Sequence, residues 1–296
     1  MFHGSHVALI TPFQHNGVQH NGAVDWHALD KLIAWHSEQG THGLVPCGTT
    51  GESATLTAEE HNAVIEFCVK QAKGKLNIIA GTGSNSTVEA IEYTQFAEKV
   101  GVDAALVITP YYNKPTQSGL FAHFKAIHDA TTIPIILYDV PARCAVRLED
   151  ETVLQLAALP RIIGIKDATG DLERPLRLTR ALGTDFLQLS GEDSTALAYN
   201  IQGGHGCISV SANIAPKLCA DLQNAWKAGN IKEAQRLNAL LLPLHKAMFI
   251  ETSPAPAKYA ASLLGLCAAD VRLPLVGISD ASKMLVKQAL HDIGLL

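Results

Sequence analysis

The sequence has no run of five or more basic residues, and its 28 acidic and 23 basic residues leave a net charge of −5. Proteins that bind nucleic acid carry basic patches, so this balance argues against a nucleic-acid partner. No apolar run approaches the roughly 18 residues of a membrane-spanning helix, so we expect no membrane insertion. The first residues also lack the basic and apolar segments of a secretory leader, which predicts a cytoplasmic protein.

Metal-binding patterns are missing as well. The six cysteines are scattered without a Cys-x-x-Cys pair, which favours free thiols in a reducing compartment over disulfides or a zinc site. The 13 histidines show neither His-Glu-x-x-His spacing nor a cluster with cysteine. The sequence therefore predicts no metal site.

What the sequence does contain is a regular alternation of short apolar runs and amphipathic stretches. The apolar runs predict eight strands, at 7–11, 43–47, 77–81, 104–109, 135–140, 162–166, 186–190 and 206–210. The amphipathic stretches between them predict helices, and capping boxes at Thr57-x-x-Glu60 and Ser86-x-x-Glu89 mark two helix starts.

Eight strand-helix units predict an α/β fold, a closed (β/α)8 TIM barrel with parallel strands. The alternative is a doubly wound open sheet, but that fold needs a glycine-rich phosphate turn after an early strand, and none is present. Residues 230–296 contain no strand-like run and predict helices only. We therefore expect a barrel domain at 1–229 and a small helical C-terminal domain at 230–296.

A lysine ends the sixth predicted strand. Lys166 follows the apolar run 162–165 and precedes the turn-forming residues 167–170. A buried cation is costly unless it is paired or loses its proton, and a neutral lysine amine can form a Schiff base with a carbonyl. The alternative is a lysine whose amine reaches solvent at the end of the strand.

In such a barrel, the C-terminal ends of all strands meet at one mouth. The polar groups expected there are two hydroxyls, three phenols, an arginine and a lysine: Thr49, Thr50, Tyr111, Tyr112, Tyr138, Arg143 and Lys166. A phenol such as Tyr138 suits proton transfer, and Arg143 suits a carboxylate. Taken singly, Tyr138 can equally be a barrel-filling residue and Arg143 a solvated loop charge.

Four segments that contain these residues resemble the dihydrodipicolinate synthase family of pyruvate-dependent class I aldolases: 48–53, 109–115, 138–143 and 164–170. The likeness extends over nearly the whole chain and includes residues 251–258. It implies condensation of pyruvate with L-aspartate 4-semialdehyde in lysine biosynthesis by the diaminopimelate route. It also implies no organic cofactor and a homotetramer built as a dimer of dimers.

The resemblance assigns roles to individual residues. Lys166 matches the Schiff-base lysine and Tyr138 the proton donor and acceptor. Thr49 and Tyr112 match a proton relay, with Tyr112 reaching in from a neighbouring subunit. The substrate-binding positions implied are Thr50, Arg143, Ile208 and Gly191, with Arg143 receiving the carboxylate of the semialdehyde.

Many members of the family are inhibited by lysine at a subunit interface. The positions matching that site are Ser53, Ala54, His61, Asn85, Glu89 and Tyr111, whereas Ala58 replaces a frequent histidine. A second departure is Asp139, which follows Tyr138 where asparagine is usual. We expect this carboxylate near the mouth, where it would shift the pKa of Tyr138 or pair with Arg143.

Three other functions remain open from the sequence. The nearest is a sister aldolase, such as N-acetylneuraminate lyase or a 2-keto-3-deoxy sugar acid aldolase, which would share the lysine and tyrosine chemistry. Another is a non-catalytic barrel that senses a small amino acid. A third is a phosphate-binding barrel isomerase, which is disfavoured because Gly203-Gly204 precedes the eighth strand and does not follow it.

Overall fold

A computed structural model describes residues 2–15, 22–72 and 74–296. Its eight parallel strands pair in chain order and close into a barrel, because β8 also pairs with β1. The strands are β1 Gly4–Ala8, β2 Gly43–Val45, β3 Asn77–Gly81, β4 Ala104–Ile108, β5 Ile135–Asp139, β6 Ile162–Asp167, β7 Leu187–Ser190 and β8 Gly206–Ser209. The predicted (β/α)8 barrel is confirmed.

Helices alternate with the strands and surround the barrel. They are α1 Trp26–Glu38, α2 Ala58–Ala72, α3 Thr87–Val100, α4 Gln117–Ala130, α5 Pro141–Cys144, α6 Asp150–Ala157, α7 Arg174–Leu182, α8 Ala196–Ile201, α9 Pro216–Lys227, α10 Ile231–Ala247, α11 Ala255–Leu263 and α12 Asp280–Asp292. Within the ranges that the structure describes, no helix combines the length and apolar character needed to cross a bilayer.

Local sequence signals explain where helices begin. The predicted capping box at the start of α2 forms: the Thr57 N–H donates to Glu60 Oε2 at 3.1 Å, and the Glu60 N–H donates to Thr57 Oγ1 at 3.2 Å. Ser86 caps α3 through its side chain, which accepts from the Glu89 N–H. Each cap satisfies backbone donors that the first helical turn leaves unpaired.

The first strand lies three residues before its predicted position at 7–11. β1 spans Gly4–Ala8, and directly after it the Leu9 N–H still donates to the Val45 carbonyl of β2 at 3.1 Å. The Ile10 N–H donates to Asn213 Oδ1 at 3.0 Å, and the Thr11 hydroxyl donates to the Gly51 carbonyl at 2.7 Å. The apolar run therefore continues into a buried segment that is no longer strand.

The chain after the barrel is helical, as predicted. α10 packs along α9, and His245 Nδ1 lies 2.8 Å from Ser211 Oγ, next to the end of β8. From α11, the Lys258 amine pairs with Glu52 in the loop after β2. The C-terminal helices thus contact the end of the barrel where the candidate site lies. The domain boundary at 229/230 remains a prediction.

Candidate active site

Lys166 and Tyr138 are neighbours on adjacent strands at the C-terminal end of the barrel. The register of β5 and β6 places Tyr138 opposite Lys166. Both residues are 7 % exposed, and Lys166 Nζ lies 4.2 Å from the centroid of the Tyr138 ring. The strand pairing therefore brings a buried amine and a phenol together, as the sequence predicted.

Gly191 leaves the space that Lys166 occupies. A Cβ atom at position 191 would lie 2.7 Å from the Ala168 Cβ and 3.2 Å from the Lys166 Cε. The 2.7 Å contact is closer than real Cβ atoms come to other carbons. Any larger residue at position 191 would therefore displace Lys166 or Ala168. The close backbone approach explains the glycine at this position.

A cavity of about 310 Å³ opens at this end of the barrel, a size suited to a small ligand. Thr49, Tyr138 and Arg143 line it, together with Cys47 and Cys144. Lys166 is not part of the cavity wall. Its amine lies against the ring of Tyr138, and that ring is part of the wall. The C-terminal region closes one side of the cavity with four residues: Thr252, Ser253, Pro274 and Leu275.

The loop after β2 presents Thr49 and Thr50 between two residues with left-handed backbone. Cys47 and Glu52 both have φ of 55°, a conformation that side chains disfavour. Within the loop the Gly51 N–H donates to the Gly48 carbonyl at 3.0 Å, and the Glu52 N–H donates to the Thr49 carbonyl at 3.1 Å. The N–H groups of Gly51 and Glu52 are thus already used by the turn.

The remaining predicted site residues lie at different depths. Thr50 and Ile208 are buried, at 6 % and 1 % exposure, and neither lines the cavity. Arg143, on the short helix α5, is exposed and does line it. Tyr112 is 90 % exposed with a φ of 72°, and it does not line the cavity of its own chain.

The six positions matched to lysine inhibition differ in burial and in the contacts that they make. Ser53, Ala54 and Tyr111 line the cavity. His61 is buried, stacks on Tyr93 with ring centroids 4.0 Å apart, and has Nε2 at 3.0 Å from the Gly81 carbonyl. Asn85 lies in the loop that follows β3, and its carbonyl accepts from the Asn113 side chain. Glu89 lies at the start of α3, and its carboxylate accepts from the Ser84 hydroxyl.

The expectation that Asp139 acts at the mouth of the barrel is wrong. Successive side chains on a strand point to opposite faces, so Tyr138 faces inward and Asp139 faces the surrounding helices. There its carboxylate accepts from the Arg174 guanidinium at 2.8 Å and does not contact Arg143.

Glu192 is a charged neighbour of the site that the sequence reasoning missed. Burial and then the nearby Asp193 raise the pKa of Glu192, whereas Lys166 and Arg143 lower it. The carboxyl group is therefore within electrostatic reach of both basic residues of the site. Its position directly after Gly191 was the one available signal.

Among the residues that the structure describes, no three histidine, cysteine, aspartate or glutamate side chains gather as a metal site would require. The observed parts of the site are a phenol, hydroxyls and an arginine that line one cavity, and a buried amine against the phenol. In a closed eight-stranded barrel, these are the parts that a lyase working through a lysine Schiff base requires.

Comparison with known proteins gives the family. The sequence model of the Dihydrodipicolinate synthetase family matches residues 1–293. A 4-hydroxy-tetrahydrodipicolinate synthase from Rhodospirillum centenum is 57% identical over 296 residues, covering 100% of both chains. The chain belongs to the dihydrodipicolinate synthetase family.

Solved structures of related proteins share this fold. A chloride-inhibited dihydrodipicolinate synthase from Acinetobacter baumannii, complexed with pyruvate, matches with a TM-score of 0.96 and 45% identity over 100% of both chains. DHDPS from Cyanidioschyzon merolae with lysine bound matches with a TM-score of 0.95 and 38% identity, covering 100% of this chain and 99% of that one. These likenesses favour the synthase over the sister aldolases and over a non-catalytic barrel.

Proposed function

We propose that this chain condenses pyruvate with L-aspartate 4-semialdehyde, with Lys166 as the Schiff-base residue. It is an enzyme, a lyase with the 4-hydroxy-tetrahydrodipicolinate synthase activity for which its full-length relatives are named. The observation that carries the residue assignment is the Lys166 amine 4.2 Å from the ring of Tyr138.

The chemistry begins with attack of the uncharged Lys166 amine on the keto carbon of pyruvate. A C–N bond forms, the carbonyl oxygen leaves as water, and an iminium results. Loss of a methyl proton gives an enamine, whose terminal carbon forms a C–C bond with the aldehyde carbon of the semialdehyde. The amino group of the semialdehyde then adds to the imine carbon, which closes the ring and releases Lys166.

Tyr138 moves the protons of these steps. A phenol both donates and accepts a hydrogen bond, and this one lies against the amine where water leaves and the enamine forms. Thr49 lines the same cavity as Tyr138 and continues the relay toward solvent.

The substrates carry carboxylates that need cationic or N–H partners. The amides of Thr49 and Thr50 bind the pyruvate carboxylate, and Ile208 and Gly191 complete the pyruvate pocket. Arg143 binds the carboxylate of the semialdehyde, because its guanidinium is the cationic group on the cavity wall that can bind it through two hydrogen bonds.

Tyr112 completes the relay in the site of a neighbouring subunit. A tyrosine that is 90 % exposed and held at a φ of 72° is costly in an isolated chain, which supports a partner that covers it. We accordingly assign a homotetramer built as a dimer of dimers. The chain acts in the cytoplasm, and it divides into the barrel 1–229 and the helical unit 230–296.

L-Lysine is the proposed feedback inhibitor. The lysine-bound relative from Cyanidioschyzon merolae supports this assignment. The residues assigned to the inhibitor site are Ser53, Ala54, His61, Asn85, Glu89 and Tyr111. Since three of them line the same cavity as Tyr138, a ligand on those three would sit at its mouth.

A lysine titration of the initial rate tests this regulation. We expect the rate to fall as lysine rises through the millimolar range, and a Glu89→Gln variant to need more lysine because a carboxylate partner for the amino group is lost. Lys125→Gln, a change on an exposed part of α4, serves as the control and should respond as the wild type does. A rate that millimolar lysine leaves unchanged would refute the proposal.

Turnover assays test the reaction itself. Wild-type protein should consume pyruvate and L-aspartate 4-semialdehyde together and should not cleave N-acetylneuraminate. Lys166→Ala should abolish the turnover, whereas Lys125→Ala should leave it unchanged. Cleavage of N-acetylneuraminate without condensation would instead identify a sister aldolase.

A further inference from the structure

The strand ends that carry Tyr138 and Lys166 each continue with an aspartate. Asp139 lies opposite Asp167 in the register of β5 and β6, one residue beyond the Tyr138–Lys166 pair. Because side chains alternate along a strand, the two carboxylates lie behind the barrel wall, on its outer face. Both are buried, with exposures of 0 % for Asp139 and 3 % for Asp167.

One arginine binds this part of both strands. Arg174, the first residue of α7, is fully buried, and its Nη1 donates to Asp139 Oδ2 at 2.8 Å and lies 3.6 Å from Asp167 Oδ2. Its Nη2 donates to the Leu148 carbonyl at 2.6 Å, and its Nε donates to Asp150 Oδ1 at 3.0 Å. A single guanidinium thus connects β5, β6 and the start of α6.

Each carboxylate also accepts a hydrogen bond from a backbone N–H. Asp139 Oδ2 accepts a second hydrogen bond, from the Leu148 N–H at 3.2 Å. Asp167 Oδ1 accepts from the N–H and the hydroxyl of Thr169, at 2.9 and 2.7 Å. Each carboxylate therefore has at least two partners once Arg174 is in place.

Burial disfavours the charged forms of the groups in this cluster. Burial raises the pKa of Asp139, and the Arg174 guanidinium acts against that shift. Burial likewise works against the charge on Arg174, but Asp167 and Asp139 outweigh it and raise the pKa of the guanidinium. Buried ion pairs of this kind add little net stability compared with apolar packing, so stability alone does not account for the cluster.

We propose that Arg174 is a positioning residue for the reaction. By binding Asp139 and Asp167 together, it fixes the ends of β5 and β6 and so holds the Lys166 amine at its distance from Tyr138. The inference rests on the proposed roles of Tyr138 and Lys166. We call the contacts of Arg174 with Asp139 and Asp167 the clamp. Misplacement of reacting groups by about 1 Å can cost on the order of a hundredfold in rate. Because the clamp lies one residue beyond Tyr138 and Lys166, it matters for catalysis.

Two variants, each with a matched control, test the clamp. Arg174→Lys keeps the charge, but a single amine cannot reproduce the forked contacts, and we expect kcat to fall about tenfold or more. Asp139→Leu removes one arm of the clamp and should act in the same direction. The KM for pyruvate should change by less than about twofold in both, because the substrate-binding groups are untouched.

Matched controls separate position from folding. Arg177→Lys alters an arginine one turn further along α7 that also binds Asp150 but reaches neither Asp139 nor Asp167, so its kcat should equal the wild-type value. Asp139→Asn keeps an acceptor oxygen for Arg174 and should restore most of the activity that Asp139→Leu loses. The melting temperature of each variant is measured alongside.

The outcomes are distinct. A selective loss of kcat in Arg174→Lys and Asp139→Leu, with rescue by Asp139→Asn, supports the clamp. Wild-type kcat in both, or a loss that follows only the fraction of unfolded protein, overturns the clamp and leaves the proposed function standing. A wild type without turnover would overturn the proposed function and the clamp together.

Discussion

Two buried lysines show how surroundings decide what a residue type can do. Lys258 is fully buried, pairs with Glu52, and donates to the Asp270 carbonyl at 2.8 Å, so its amine is enclosed and occupied. Lys166 is 7 % exposed, lies on the Tyr138 ring, and forms none of the ion pairs found in the described part of the chain. An amine beside a cavity and free of a carboxylate partner suits nucleophilic attack, whereas an enclosed ion pair suits structure.

At the same scale, Arg143 is the proposed partner of the semialdehyde carboxylate on the cavity wall. Arg143→Ala should raise the KM for L-aspartate 4-semialdehyde about 10- to 100-fold, since a charge-assisted hydrogen bond contributes about 1.5–3 kcal/mol. Steady-state kinetics with each substrate varied in turn measures the change.

The pyruvate half-reaction serves as the control for that variant. Adduct formation with pyruvate should match the wild type, and Arg180→Ala, an exposed arginine on α7, should alter neither substrate. An unchanged KM for the semialdehyde in Arg143→Ala would mean that another group receives its carboxylate.

At the level of elements, the barrel could be predicted because each strand is a short buried run between turn signals. Lys166 was predictable for a related reason, since an ionisable residue ending such a run is unusual. The sequence placed β1 three residues too late, and the cause lies far away along the chain. The side chain of Asn213, 203 positions further on, accepts from the Ile10 N–H. Asp139 was misjudged similarly, because its partner Arg174 lies 35 residues away and no local pattern indicates the pair.

The contact between α11 and the loop after β2 is a second element-level feature that the sequence did not indicate. Lys258→Met would leave Glu52 buried without its cation, so we expect the free energy of unfolding to fall by about 3–5 kcal/mol. Chemical denaturation measures the loss.

A second substitution separates the lost charge from the lost packing. Adding Glu52→Gln to Lys258→Met should recover part of the stability, because the unpaired charge is removed. Lys246→Met, on the exposed side of α10, should leave stability unchanged. Equal stability of Lys258→Met and wild type would refute a structural role for this pair.

For the whole molecule, buried histidines should set the acid limit of the fold. Burial lowers the pKa of His36 to about 3 and that of His6 to about 4, from the ordinary value of 6.5. Since the folded pKa lies below the unfolded one, the contribution to stability is complete above pH 6.5 and is lost as the pH falls. Each ring should lower the free energy of unfolding by about 2 kcal/mol between pH 7 and pH 5.

His36→Gln isolates one of these contributions. Denaturation at the two pH values should show about 2 kcal/mol less pH dependence than the wild type. His27→Gln, an exposed position on the same helix, should keep the full pH dependence. If His36→Gln and the wild type lost equal stability on acidification, the buried histidine would not be responsible.

The central claim is that a single amine, that of Lys166, bonds covalently to the keto acid. Incubation with pyruvate and sodium borohydride, followed by intact mass and peptide mapping, tests it most directly. We predict one reduced pyruvate per chain on the peptide containing Lys166, none on the peptide containing Lys258, and no adduct in Lys166→Ala. An adduct that persists in Lys166→Ala, or no adduct in a wild type that turns over, would contradict the account.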